Sequence, residues 1–232
     1  MSDKASGLNI YCRDRRTGML WLDDRRRLVF KYDPDWLSRS GAFPLSLSLP
    51  LRLLPYDDDA ARPFFANLLP EGEIRRLIAR RLHISEQNIY TFLEKIGGDC
   101  AGAVSILSHH ELPLESSGYK ELDEEALHLL LTDLPNRPLL AGEEGIHLSL
   151  AGAQNKLPVY MEDDRIFITM GNNPSTHILK PPIGGLGETV ENEAFCMTLA
   201  RRIGLPVAEA VIRRNRDTIL IVTRYDRERK QD

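Results

Sequence analysis

The chain has 232 residues, 42% of them hydrophobic and 28% charged, with a formal net charge of −4 at neutral pH. That length and balance allow one large domain or two modest ones with real cores, and they exclude a basic nucleic-acid coat or a membrane-surface protein. Cys12, Cys100 and Cys196 are odd in number, far apart and without metal-ligand spacing. They read as free thiols in a reducing compartment. With a polar N-terminus and no apolar run near the ~20 residues of a membrane span, the expectation is a cytoplasmic protein.

In chain order, Leu8 to Cys12, Met19 to Leu22 and Leu28 to Lys31 are rich in apolar and β-favouring residues. Turn chemistry at Asp14 to Gly18 and at Asp23-Asp24 separates them, which predicts an antiparallel meander. Leu45 to Leu49 alternates with period two between Pro44 and Pro50, the pattern of a half-buried strand. Pro63 is placed to open a helix that Pro70 would end. Glu71 to Leu82 has Ile74, Leu77, Ile78 and Leu82 at helical spacing. Ser85 is the expected N-cap of a helix over 86–96, closed by Gly97-Gly98, and 101–107 is an expected strand. Loop-like residues follow, among them Leu112-Pro113 and Ser116-Ser117. Asp123 would then cap a short helix from Glu124 to Leu131. The second half reads as strands at 147–150, 157–161, 165–169 and 176–180, a helix over 188–203 ended by Gly204, and a hairpin of 210–213 with 218–223.

Three elements of that half carry chemistry. Ser149 to Lys156 is a small-residue loop whose backbone amides are able to approach a phosphate, although it lacks the Gly-Lys-Ser/Thr of a Walker loop. Alone it reads first as an ordinary hairpin turn. Lys180 ends the apolar run 177–179, where a charge is costly unless paired. It is either a strand lysine that grips nucleotide phosphates or an exposed strand end. Glu193 stands three residues after Val190, on the inner face of its helix, where a carboxylate calls for a cation; the alternative is a carboxylate on the rim. A strand lysine, a helix glutamate and a glycine-containing loop together follow the logic of a protein-kinase N-lobe.

Eight stretches, PLSLSLPL (44–51), FFANLLPEGEIR (64–75), IGGDCAGAVSI (96–106), LSLAGAQNKLPV (148–159), STHILKPPI (175–183), VENEAFCMTLAR (190–201), IGLPVAEA (203–210) and VTRYDR (222–227), occur in the order found in the HipA family of toxin kinases from type II toxin–antitoxin systems. The chain resembles that family over nearly its whole length. The resemblance implies an α+β fold. It would have an N-terminal strand-and-helix sub-domain over 1–108, a connecting segment over 109–145 and a kinase-like N-lobe (an antiparallel sheet plus one helix) over 146–232. It also implies serine/threonine kinase chemistry with ATP and Mg2+. By matching position, Ser149 is the autophosphorylation site, whose modification in the family ejects the loop and blocks nucleotide binding. Ala151, Gly152, Ala153 and Gln154 form the phosphate cradle beside Lys156. Lys180 is the phosphate lysine and Glu193 its acidic partner. Thr223, Arg224 and Tyr225 would border the adenine, and Asp226 the ribose.

In the family Thr223 to Asp226 match the crossover from N-lobe to C-lobe, the catalytic-loop Asp and the metal-binding Asn and Asp lie beyond it, and no His-x-x-Asp-x-x-x-x-Asn arrangement occurs in these residues. The expectation is therefore an N-terminal portion without its C-lobe, inactive in phosphoryl transfer by itself. It would be one half of a split kinase completed by a separate C-lobe chain, a binding module that regulates an intact toxin or antitoxin, or the remnant of a frameshifted gene. A HipB-like helix-turn-helix antitoxin is the implied partner, with DNA reached only through it. The Arg25-Arg26-Arg27 cluster reads first as a solvated turn.

Overall fold

A computed structural model describes residues 7–111 and 118–227. The loop residues Leu112-Pro113 and Ser116-Ser117 lie outside the described residues. Two antiparallel sheets organise the chain. In the first, β1 (Leu8–Cys12), β2 (Arg15–Leu22), β3 (Leu28–Tyr32) and β4 (Val104–Leu107) lie in the order β3-β2-β1-β4. The expected meander is present. Arg15 to Gly18 belongs to β2 rather than to the turn, because Arg13 takes up the reversal with φ at 59°. The same sheet packs its apolar face against the helices Asp58–Ala66 and Ile89–Ile96. Phe30 meets Tyr32 and Phe65 edge-on, at 4.8 and 5.4 Å between ring centroids.

Four helices follow β3: α1 (Pro34–Leu37), α2 (Asp58–Ala66), α3 (Gly72–Leu82) and α4 (Ile89–Ile96). Two of them start elsewhere than the sequence suggests. Pro63 lies inside α2, because Asp57 accepts a hydrogen bond from the Ala60 amide and caps the helix earlier. Asn88, not Ser85, caps α4 through the Thr91 amide at 3.2 Å. The segment 45–49 is not a strand. The Tyr32 hydroxyl accepts from Leu45 N at 2.8 Å and donates to Leu49 O at 2.5 Å, which cinches the segment into a turn with Leu47 97% exposed. Within 101–107 only β4 is extended; Ala101–Ala103 forms a single 3-10 turn.

The second sheet contains β5 (Tyr119–Leu122), β6 (Leu157–Glu162), β7 (Arg165–Thr169), β8 (His177–Lys180), β9 (Ala210–Arg214) and β10 (Thr218–Thr223), ordered β5-β7-β6-β8-β10-β9. Asp163 and Asp164 both adopt positive φ in the tight β6–β7 turn. Here α5 (Glu124–Asp133) is capped by Asp123, and α6 (Thr189–Arg202) packs on β9 and β10. The expected strand at 147–150 is absent: Leu148 makes only an isolated parallel bridge to Asp99. Buried apolar side chains of both sheets, from Leu8 to Ile221, form one contiguous core.

Candidate functional site

β8 lies between β6 and β10, with Lys180 opposite Leu220 at its far end. The alternation of the strand buries Leu179 and leaves Lys180 partly open. Helix α6 anchors through Val190, which packs with Leu220 and Val222. One turn on, at i+3, Glu193 faces the same sheet. Its Oε1 accepts from Lys180 Nζ at 2.5 Å, with both side chains less than one third exposed. The pairing expected from spacing alone is thus present.

The loop ahead of β6 closes over this pair. Ser149 is fully buried, and its hydroxyl donates to Leu68 O at 2.8 Å. Gly152 stands at φ 110°, so the backbone shape calls for glycine; a Cβ there would meet Lys156 Nζ at 2.8 Å and push that side chain aside. The Gly152 carbonyl accepts from Glu71 N at 3.2 Å, which ties the loop to the N-terminal half. Lys156 Nζ donates to Ala151 O. Burial, followed by the nearby Lys180 charge, pulls the Lys156 pKa below that of an ordinary lysine, against the pull of Glu71 and Glu193. Lys180 is paired with Glu193, whereas the Lys156 ammonium bonds a carbonyl rather than a carboxylate. A cleft of about 300 Å³ opens beside them, between Ala153, Gln154 and Asn155 of the loop and Pro182 to Gly184 after β8. In its wall the buried Asn155 Oδ1 has no hydrogen-bond partner among the described residues. A glycine cradle, two lysines and an orphaned acceptor fit a polyanion that also carries donors, as a nucleotide does.

The crossover residues stand at the other end of β8. Thr223 pairs with His177, about 10 Å along the strand from Lys180. The Thr223 amide donates to Glu209 O at 2.8 Å and the Arg224 amide to Thr176 O at 2.9 Å, while Tyr225 is 88% exposed. Arg224 and Asp226 turn inward instead. The Arg224 guanidinium bonds Asp99 Oδ2 at 3.0 Å, Ser175 Oγ at 2.8 Å, Cys100 O at 2.8 Å and Asp226 Oδ2 at 2.8 Å. Asp226 also accepts from the Gly102 amide at 2.8 Å. Burial works against the Asp226 charge, but the hydrogen bond and charge of Arg224, with Arg227, outweigh it and hold the carboxyl well below the usual range. The structure therefore gathers Ser149, Ala151 to Gln154, Lys156, Lys180 and Glu193 into one neighbourhood. It sets Thr223 a strand's length from Lys180, while Ser149 and Arg224 meet through Asp99, which bonds both.

Sequence reasoning gave no role to Asp99, Ser175, Arg227 or Glu71. The available signal was an aspartate between two glycines and a buried cysteine, inside an otherwise apolar stretch.

Residues 8–107 match the family model of the HipA N-terminal domain, and residues 148–232 match that of the HipA-like C-terminal domain. The chain belongs to the HipA family. Among HipA relatives, it is 42% identical over 231 residues to a putative kinase, Y4mE, of Sinorhizobium fredii, covering 97% of this chain and 55% of that one. It is 29% identical to the serine/threonine-protein kinase toxin HipA of Shewanella oneidensis, covering 84% of this chain and 44% of the toxin. A solved complex of Shewanella oneidensis HipA with HipB and operator DNA superposes with a TM-score of 0.79 at 29% identity, over 96% of this chain and 51% of that chain. The chain spans about half the length of these HipA relatives.

Proposed function

We propose that these residues form the nucleotide-binding half of a HipA-like serine/threonine-protein kinase toxin. The Lys180–Glu193 ion pair beside Lys156, under a glycine-containing loop, carries the reading. Lys180 and Lys156 bind the phosphates of ATP, and Ala151 to Gln154 supply backbone amides. Glu193 holds Lys180 at the end of β8, so that its ammonium is in place before the nucleotide arrives. The edge at Thr223 and Tyr225 borders the base, with Arg224 and Asp226 turned inward behind it and fastening it to Asp99 and Gly102. Tyr225, standing clear of the protein, supplies a ring to pack on the adenine. Bound ATP supplies the γ-phosphoryl group, and phosphoryl transfer to a protein serine belongs to the whole kinase, of which the chain spans about half the relatives' length.

Ser149 is the autophosphorylation site in this reading. Its hydroxyl is buried against Leu68 O with no room for a phosphate, so modification requires the loop to leave and dismantles the cradle. Mg2+ is expected to accompany ATP in the whole kinase, and none of the residues named here is proposed as its ligand. A HipB-like antitoxin is the proposed partner, with DNA contacted only through it, in the cytoplasm. The solved relative is a complex with HipB and operator DNA, and no helix among the described residues is long and apolar enough to cross a membrane.

Titration of the chain with a fluorescent ATP analogue tests this. Lys180→Ala is expected to weaken binding at least tenfold. Equal binding by Lys180→Ala and the parent chain overturns the reading.

A further inference from the structure

Three segments carry the residues of the proposed nucleotide site: the loop headed by Ser149, the stretch from Ser175 through β8 to Lys180, and residues 223–226. All three are fastened to one residue of the N-terminal half. Asp99 bonds the first through its backbone. Its amide donates to His147 O at 3.0 Å, and its carbonyl accepts from Ser149 N at 3.3 Å. Gly98 permits this approach, since a Cβ there would meet His147 Cβ at 2.7 Å. The Asp99 carboxylate, 4% exposed, bonds the second through Ser175 Oγ at 2.6 Å and Ser175 N at 3.1 Å. It bonds the third through Arg224 at 3.0 Å and through Arg227. The next turn adds to the hold, because the Gly102 amide and the Cys100 carbonyl bind Asp226 and Arg224.

Such a cluster is expensive for a plain fold staple. Two carboxylates and two guanidinium groups give up water, and well-packed apolar side chains hold a domain junction at lower cost. What a hub of fixed charge supplies is geometry: directional bonds set the segments relative to one another within a few tenths of an ångström. We propose that Asp99 is a positioning residue for the nucleotide. It sets the spacing between the phosphate cradle and the base edge, so that the N-terminal sub-domain becomes part of the binding site without touching the ligand. This rests on the nucleotide-binding reading above.

Asp99→Asn keeps the shape and removes the charge that holds Arg224 and Arg227. It is compared with the parent chain, with Lys180→Ala, and with Leu20→Ala, a cavity in the first sheet far from the hub. The readouts are affinity for a fluorescent ATP analogue, competition by inorganic tripolyphosphate, and melting temperature. Asp99→Asn is expected to weaken the ATP analogue at least tenfold and tripolyphosphate less than threefold, because the cradle survives while its distance to the base edge is lost. Leu20→Ala, melting as low or lower, is expected to keep both affinities within twofold. If Asp99→Asn binds the ATP analogue within twofold of the parent, or if Leu20→Ala loses as much, the positioning role is overturned while the nucleotide reading stands. If the parent shows no Lys180-dependent binding, both fall. Should Asp99→Asn not fold, Ser175→Ala decides in its place: it removes one bond to the same carboxylate and no charge, with at least a threefold loss expected and an unchanged affinity overturning the proposal.

Discussion

The two sheets of the molecule treat their apolar surface differently. Around the first, Phe30, Tyr32, Tyr56 and Phe65 interlock, and helices α2 to α4 bury their apolar faces. Around the far edge of the second, α6 buries only Val190 fully, while Phe195 is 66% exposed and Ile203 68%. The first region carries its own core. The second borrows stability from the first through the contiguous core and through the charges around Asp99. Low local burial goes with local opening, so amide exchange along α6 is expected to be faster than in the helices of the first region.

The largest expected effect breaks the link between the regions. Arg224→Ala leaves Asp99 and Asp226 buried with less charge compensation, and a loss of about 3–5 kcal/mol is expected in urea unfolding. Within the first region, Phe65→Ala is expected to cost about 3–5 kcal/mol. In the second, Val190→Ala is expected to cost only about 1.5 kcal/mol, seen mainly as faster amide exchange along α6. Equal effects of Phe65→Ala and Val190→Ala would erase the contrast.

Two smaller tests concern charge. Asp226 has a depressed pKa, so its contribution to stability is complete above the ordinary carboxylate value of 3.8 and is lost as pH falls toward the folded value. Melting curves from about pH 5 to about pH 2 are expected to fall less steeply for Asp226→Asn than for the parent chain. Lys156 runs the other way. Its pKa is depressed because burial and Lys180 disfavour its charge, so at neutral pH the folded state holds an unwelcome proton. Lys156→Met is expected to raise stability by about 0.5–1 kcal/mol while it weakens binding of the ATP analogue, the exchange of stability for function expected at a site of like charges.

Legibility in the sequence followed the range of the interactions. The strands β6, β7, β8 and β10 and the helix α6 lie within a residue or two of where periodicity and end signals place them, because alternation and helical spacing act over a few neighbours. Lys180 and Glu193 were legible together, since only thirteen positions separate them and the helix geometry fixes the face. The leucine alternation at 45–49 misled because a single distant hydroxyl, that of Tyr32, overrides it. Pro63 and Ser85 misled because a better cap stood nearby, at Asp57 and at Asn88.

The sequence by itself determined the family, the order of the strands along the chain, and the loop, lysine and glutamate of the candidate site. Each rests on local pattern or on a run of adjacent residues. Only the tertiary structure decided that Arg224 and Asp226 face inward, that the Ser149 hydroxyl rests on Leu68, and that one aspartate, 125 positions before Arg224, gathers the three segments of the site. The physical reason is that a buried charge takes its partner from whatever the fold brings within about 3 Å, and separation along the chain places no limit on that choice.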